Sequence, residues 1–126
     1  MKHAIRAMAE QGSGHIVQIT ASIVDQPING VPAILASITK GGLAAATKGL
    51  AIEYAGQGIR VNAISPGVVD TPLHVGLDAA ATYAQMHPQN RIGTVADIIH
   101  GALYLETAPF VTGEVLHIDG GQSAGH

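Results

Sequence analysis

The strongest constraint on the fold is an alternation of short β-branched runs with longer helical segments. Residues 15–20 and 59–64 are rich in Ile and Val, and each run predicts a strand. Between them, residues 32–55 are rich in Ala, Leu and Ile, start at Pro32 and end before Gly56. This segment predicts a helix of about 20 residues. A strand, a helix and a strand in this order form a right-handed crossover, so the sequence predicts a parallel sheet.

Two further segments have helical periodicity and recognisable ends. Residues 2–11 predict a helix that stops at Gly12, a residue suited to a helix C-cap. Residues 94–106 predict a second helix, with Thr94 as its N-cap and Asp97 as the acidic partner of a capping box. Both helices fit the pattern in which helices cover a parallel sheet.

The C-terminal part of the chain completes this pattern. Residues 70–90 predict a loop with weak helical stretches, and residues 115–118 predict a third strand. The fold class is therefore α/β, with about three parallel strands and helices on both faces of the sheet. Such a sheet has two edges, and the outer edge of the first strand has no predicted partner.

Composition excludes several functional classes. Six Lys and Arg against nine Asp and Glu give a net charge of -3 without a basic cluster, so neither a nucleic-acid partner nor a membrane partner is predicted. No cysteine is present, which removes disulfides and suits a reducing compartment. Residues 1–6 lack the apolar run of a signal peptide and no stretch of the sequence is apolar enough to span a membrane, so we expect a cytoplasmic protein. No two histidines lie three or four residues apart, so no metal site is predicted.

Several segments together resemble the C-terminal half of the short-chain dehydrogenase/reductase family. Residues 58–72 resemble the family's strand and its Pro-Gly-x-Val-x-Thr cofactor loop almost position by position. Residues 14–20 resemble the strand before the catalytic serine, and residues 37–42 resemble the end of the Tyr-x-x-x-Lys helix. Residues 111–114 and 118–121 resemble the closing strand. The resemblance implies the C-terminal part of a Rossmann-like doubly wound parallel sheet.

The resemblance also implies a site. Lys40 and Ser22 take the positions of catalytic residues, and Thr20 is the alternative for the serine. In the other interpretation, the Ser22 hydroxyl only forms a hydrogen bond with backbone groups of its loop. The residues implied to bind the cofactor, NAD or NADP, are Lys40, Pro66, Gly67, Val68, Val69 and Thr71. Asn62, in contrast, is interpreted as a structural residue that satisfies backbone groups.

Two departures from the family pattern bear on activity. Counting four residues back from Lys40 places the family's tyrosine position at Ala36, which has no ionisable group. Of the tyrosines present, only Tyr83 lies in a segment that resembles the substrate lid. The family's glycine-rich dinucleotide motif has no counterpart, because Gly12-Ser13-Gly14 precedes a strand instead of following one. We therefore expect residues 1–126 to form a single partial Rossmann-fold domain without the N-terminal cofactor-binding half.

The sequence leaves the activity of this chain open. One hypothesis is an NAD(P)-dependent oxidoreductase that interconverts a small-molecule carbonyl and an alcohol, with this chain truncated and weakly active or inactive. The alternative is a non-catalytic binding or oligomerisation module of the same descent, and a third is a chain with no independent role. The resemblance further implies a homo-oligomer, either a dimer or a tetramer.

Overall fold

A computed structural model describes residues 1–74 and 79–125 of the chain. Its sheet has three parallel strands in the order β1, β2, β3: Gly14–Ile19, Ile59–Pro66 and Val115–Ile118. Gly14 pairs with Ile59 at one end of the first ladder. The predicted α/β class and parallel sheet are confirmed. Among the described residues, β2 is paired on both sides while β1 and β3 are sheet edges.

Residues 1–74 and 79–125 contain four α-helices, and the three longest lie where helical periodicity predicts them. The four are α1 (Lys2–Gln11), α2 (Ile34–Tyr54), α3 (Ala79–Ala84) and α4 (Val95–Thr107). Helix α2 begins two residues later than predicted, because Ala33 has a φ of −141° that is not helical. Helix α3 lies in the segment where only weak helical stretches are predicted.

Strand β2 is longer than predicted, since it continues through Ser65 and Pro66. The extension exists because β3 pairs with these residues, the last pair being Pro66 with Ile118. Proline is tolerated at this point because it lies at the end of the strand and can still offer its carbonyl group. The extension places the Pro-Gly turn directly at the carboxyl edge of the sheet.

The two faces of the sheet are covered by different helices. Side chains of α1 and α2 pack on one face, against a buried cluster of Ala51, Ile59 and Val61. Arg60 lies between two of these residues on β2, so its side chain points to the opposite face. There its guanidinium donates to the carbonyl groups of Leu105 and Glu106 at 2.8 and 3.0 Å, at the end of α4. Both faces are therefore covered by helices.

The predicted capping box at the start of α4 is confirmed. The Thr94 hydroxyl accepts from the Asp97 amide at 3.2 Å, and the Asp97 carboxylate accepts from the Thr94 amide at 2.8 Å. Arg91 binds the same carboxylate at 2.9 Å. The hydrogen bond from Arg91, followed by those from Thr94, lowers the pKa of Asp97 well below its usual range. The start of α4 is thus fixed by its own residues.

Candidate functional site

A cavity of about 650 Å³ opens where β1 and β2 end. The carboxyl edge of the strands is the place where ligands bind in open α/β sheets. The walls come from the turns after all three strands, from the first part of α2, from α3 and from α4. Most of the lining side chains are apolar, including Ile23, Val31, Leu73, Met86 and Ile98.

Ser22 lies three residues after the end of β1 and lines this cavity. It is almost fully buried, and its hydroxyl donates to the side-chain oxygen of Gln122, a residue 100 positions further along the chain. The Ser22 hydroxyl therefore binds a side chain instead of the loop backbone. Thr20 lines the cavity as well, but its hydroxyl donates to the backbone carbonyl of Ile64 at 3.2 Å. Of the two hydroxyls, Ser22 is the one held by another cavity side chain.

Helix α2 contributes Ala36 to the cavity wall. Lys40 lies one turn later on the same helix. The Lys40 ammonium donates to the carbonyl of Ile19, the last residue of β1, at 3.0 Å. Ile19 lines the cavity and Lys40 does not, so the ammonium lies at the end of β1 outside the cavity wall. The structure thus brings Ser22, Ala36 and the Lys40 ammonium to the same end of the sheet.

The loop after β2 forms another wall, to which all five of its residues predicted to bind the cofactor contribute: Pro66, Gly67, Val68, Val69 and Thr71. Backbone hydrogen bonds hold this loop on two sides. The Gly67 amide donates to the carbonyl of Ile118 on β3 at 3.0 Å. Gly93 forms two further backbone bonds with the loop, of 2.8 and 2.9 Å. Backbone hydrogen bonds to β3 and to Gly93 therefore fix the position of the loop relative to the sheet.

His87 does not line the cavity but binds the loop that does, a contact that the sequence does not predict. Its Nε2 accepts from the Val68 amide at 3.0 Å, and its Nδ1 lies 2.9 Å from the carbonyl oxygen of Tyr83. The ring packs so closely against Gly67 that a Cβ there would be 2.6 Å from Nε2. Glycine is required at position 67 for this reason. No local sequence signal reveals this contact, because 19 residues separate His87 from Val68.

Asn62 has the structural role predicted for it. The fully buried side chain accepts from the amide of Glu114 and donates to the carbonyl of Val111, both at 3.0 Å. These bonds tie β2 to the segment before β3. Tyr83, in contrast, lines the site cavity on the side of α3.

Comparison with known proteins agrees with this geometry. A family model described as "Enoyl-(Acyl carrier protein) reductase" matches residues 1–123. Cis-4-hydroxycyclohexanecarboxylate dehydrogenase of Sinomonas cyclohexanicum is 38% identical over 98% of this chain and 50% of its own length. The NADP-bound structure of ElxO is 35% identical, with a TM-score of 0.87 over 99% of this chain and 52% of that one. A short-chain type dehydrogenase/reductase from Mycobacterium ulcerans has a TM-score of 0.85 at 32% identity, over 98% of this chain and 46% of its own.

The fold is that of an α/β protein with a cavity at the carboxyl edge of its parallel strands. The chain belongs to the short-chain dehydrogenase/reductase family of oxidoreductases. It spans about half the length of the curated relatives it matches, and it corresponds to their C-terminal half. No helix within residues 1–74 and 79–125 has the length and apolar character needed to cross a membrane.

Proposed function

We propose that this chain carries the substrate side and the nicotinamide side of an NAD(P)-dependent oxidoreductase site for a small-molecule carbonyl or alcohol. The observation that carries the proposal is the convergence of Ser22, Ala36 and the loop of residues 66–71 on one cavity. Members of the family act on small molecules, and they are typically oligomeric. A cysteine-free chain suits a reducing compartment, which supports a cytoplasmic location.

The residues of the chain fit one end of a dinucleotide. The loop of residues 66–71 follows a parallel strand and faces the cavity, so its backbone and the Thr71 hydroxyl would bind the nicotinamide end. The Lys40 ammonium would bind ribose hydroxyls. When bound, the cofactor supplies or accepts the hydride. Ser22 would orient the oxygen of the substrate, since its hydroxyl lies in the cavity wall.

The adenosine end finds no comparable site in residues 1–74 and 79–125. Gly12 has the left-handed conformation of a helix C-cap, with φ of 72°, and Gly14 begins β1 at the edge opposite the cavity. These glycines therefore cap α1 instead of surrounding a pyrophosphate, which needs a glycine-rich turn after a strand. We accordingly propose that residues 1–126 are a partial Rossmann-fold domain.

A second candidate function follows from Ala36. The family's chemistry uses a phenol at this position as general acid, and a methyl group cannot hold a proton. This observation favours a non-catalytic binding or oligomerisation module, or a chain of weak activity. The two candidates differ in turnover but agree on the nicotinamide end of the site.

Nicotinamide mononucleotide tests the shared part of the proposal, with adenosine monophosphate as the matched control. Both carry a ribose and a phosphate, and they differ in the base. In amide NMR spectra of the chain, we expect nicotinamide mononucleotide to shift the signals of residues 67–71 with millimolar affinity, while adenosine monophosphate leaves them in place. Equal shifts with both nucleotides, or shifts confined to other surfaces, would refute the proposed site.

A further inference from the structure

We propose that His87 is a positioning residue: as a neutral ring protonated on Nδ1, it fixes the loop of residues 66–71 and joins it to the segment that carries Tyr83. The ring is 4% exposed and lies between the turns after β2 and β3. Its importance for nicotinamide recognition rests on the function proposed above. Its effect on the loop itself does not.

The hydrogen bonds determine the protonation state of the ring. The Val68 amide is a donor, so the Nε2 that it meets at 3.0 Å must be an acceptor. The Tyr83 carbonyl is an acceptor, so the Nδ1 at 2.9 Å must carry the proton. Only the neutral Nδ1–H tautomer satisfies both partners. A second proton on the ring turns Nε2 into a donor and breaks the bond to Val68 while it leaves the bond to Tyr83.

Close packing prevents the His87 ring from turning away from the Val68 amide when Nε2 carries a proton. Gly67 approaches Nε2 so closely that a Cβ would lie 2.6 Å away, and a Cβ on Gly120 would be 3.3 Å from the Cβ of His87. The His87 amide also donates to the carbonyl of Ala84 at 3.1 Å, which anchors the backbone to the end of α3. The ring therefore has little room to turn, and a second proton must move the loop instead.

Both segments that His87 joins belong to the site. Val68 and Tyr83 line the same cavity, so a change in the ring reaches two of its walls. Tyr83 is the titratable residue of α3 whose carbonyl the ring contacts. A smaller cavity beside the ring is lined by four further titratable or charged groups: Arg91, Asp97, His117 and Asp119. Arg91 and Asp97 pair with each other, His117 with Asp25, and Asp119 accepts from Ser123. Burial opposes ionisation of Asp119, but hydrogen bonds from Ser123 and Gly121 together outweigh it and lower the pKa of that carboxyl group.

Nitrogen NMR of the unmodified 126-residue chain tests the tautomer directly. We expect the proton of His87 on Nδ1 at neutral pH, and we expect the Val68 amide signal to move together with the second protonation of His87 as the pH falls. The His87→Gln variant keeps an acceptor but cannot take a proton, so its Val68 amide should lose this pH dependence. The His100→Gln variant removes an exposed histidine of α4 and should leave the dependence unchanged.

Affinity for nicotinamide mononucleotide provides the second measurement. His87→Leu removes both hydrogen bonds and should weaken binding about three- to tenfold, whereas His87→Gln should retain most of the affinity. A proton on Nε2 in the unmodified chain, or a Val68 amide that does not follow His87, overturns the proposal even if the variants fail to fold. If nicotinamide mononucleotide shifts no residue of the loop while these ring and amide signals are as expected, the proposed function fails and the positioning role of His87 stands.

Discussion

We propose that Ala36 is the residue that most limits chemistry in this cavity, because the family resemblance implies a tyrosine at this position. It lies one turn before Lys40, at a wall shared with Ser22, and it cannot donate a proton. We expect Ala36→Tyr to raise carbonyl reduction about 10²- to 10⁴-fold, the usual contribution of a general acid. Steady-state rates would be measured in a protein in which this chain is joined to the dinucleotide-binding half of a relative, so that cofactor can bind.

Tyr83→Phe is the control for this prediction, since Tyr83 lines the same cavity. If Tyr83 already serves as the acid, Tyr83→Phe lowers the rate of the joined protein and Ala36→Tyr adds little. An unchanged rate for Ala36→Tyr, in a protein shown to bind cofactor, would mean that another residue has the role or that the reaction is not the family's.

At the residue level, sequence reasoning predicts candidate site residues that lie in continuous motifs. Ser22, Ala36 and the loop of residues 66–71 follow from short segments, and they line one cavity. Gln122 and His87 could not be predicted, because their contacts with Ser22 and Val68 join distant parts of the chain. Only the folded sheet brings these pairs together.

At the level of elements, the capping box of α4 allows a quantitative prediction. Thr94→Ala removes the hydroxyl that accepts from the Asp97 amide, and we expect it to lower the free energy of unfolding by about 1 kcal/mol. Urea denaturation followed by circular dichroism measures this change. Thr107→Ala, at the other end of the same helix, removes an exposed bond to the Leu103 carbonyl and should cost less than about 0.5 kcal/mol. Equal losses for the two variants would contradict the assigned cap.

Most elements could be predicted because their signals are local. Glycine ends α1, and Thr94 with Asp97 begins α4, so three or four neighbouring residues contain the information. The end of β2 is different, because its last two residues are in the strand only through pairing with β3. The periodicity of β2 itself does not predict this pairing with a distant strand.

At the level of the whole molecule, surfaces of α2 and α4 remain exposed and apolar in the described part of the chain. Ile38 on α2 is 66% exposed, and α4 presents a stripe of Val95, Ile99 and Leu103. Gly42 and Gly49 leave open space above α2, which permits close approach of another helix. Within residues 1–74 and 79–125, β1 and β3 each have one unpaired edge. Together with these edges, the exposed surfaces favour self-association, so we predict a homo-oligomer.

Sedimentation at micromolar concentration checks this prediction. Gly42→Arg places a charge on the open face of α2 and should shift the chain toward the monomer. Gly56→Arg also meets open space, but it lies beyond the end of α2 and should leave the assembly unchanged. A single 12.8 kDa species with a cooperative thermal transition in the unmodified protein would contradict the predicted assembly.

The most direct test of the account is the affinity of the chain for a complete dinucleotide. If residues 1–126 hold only the nicotinamide end of the site, the adenosine half of NADH or NADPH adds nothing to the binding affinity. Calorimetric titration should then give millimolar affinity for both, equal within a few-fold to that of nicotinamide mononucleotide. Micromolar binding of either dinucleotide would contradict the account, because it would require an adenosine and pyrophosphate site within this chain.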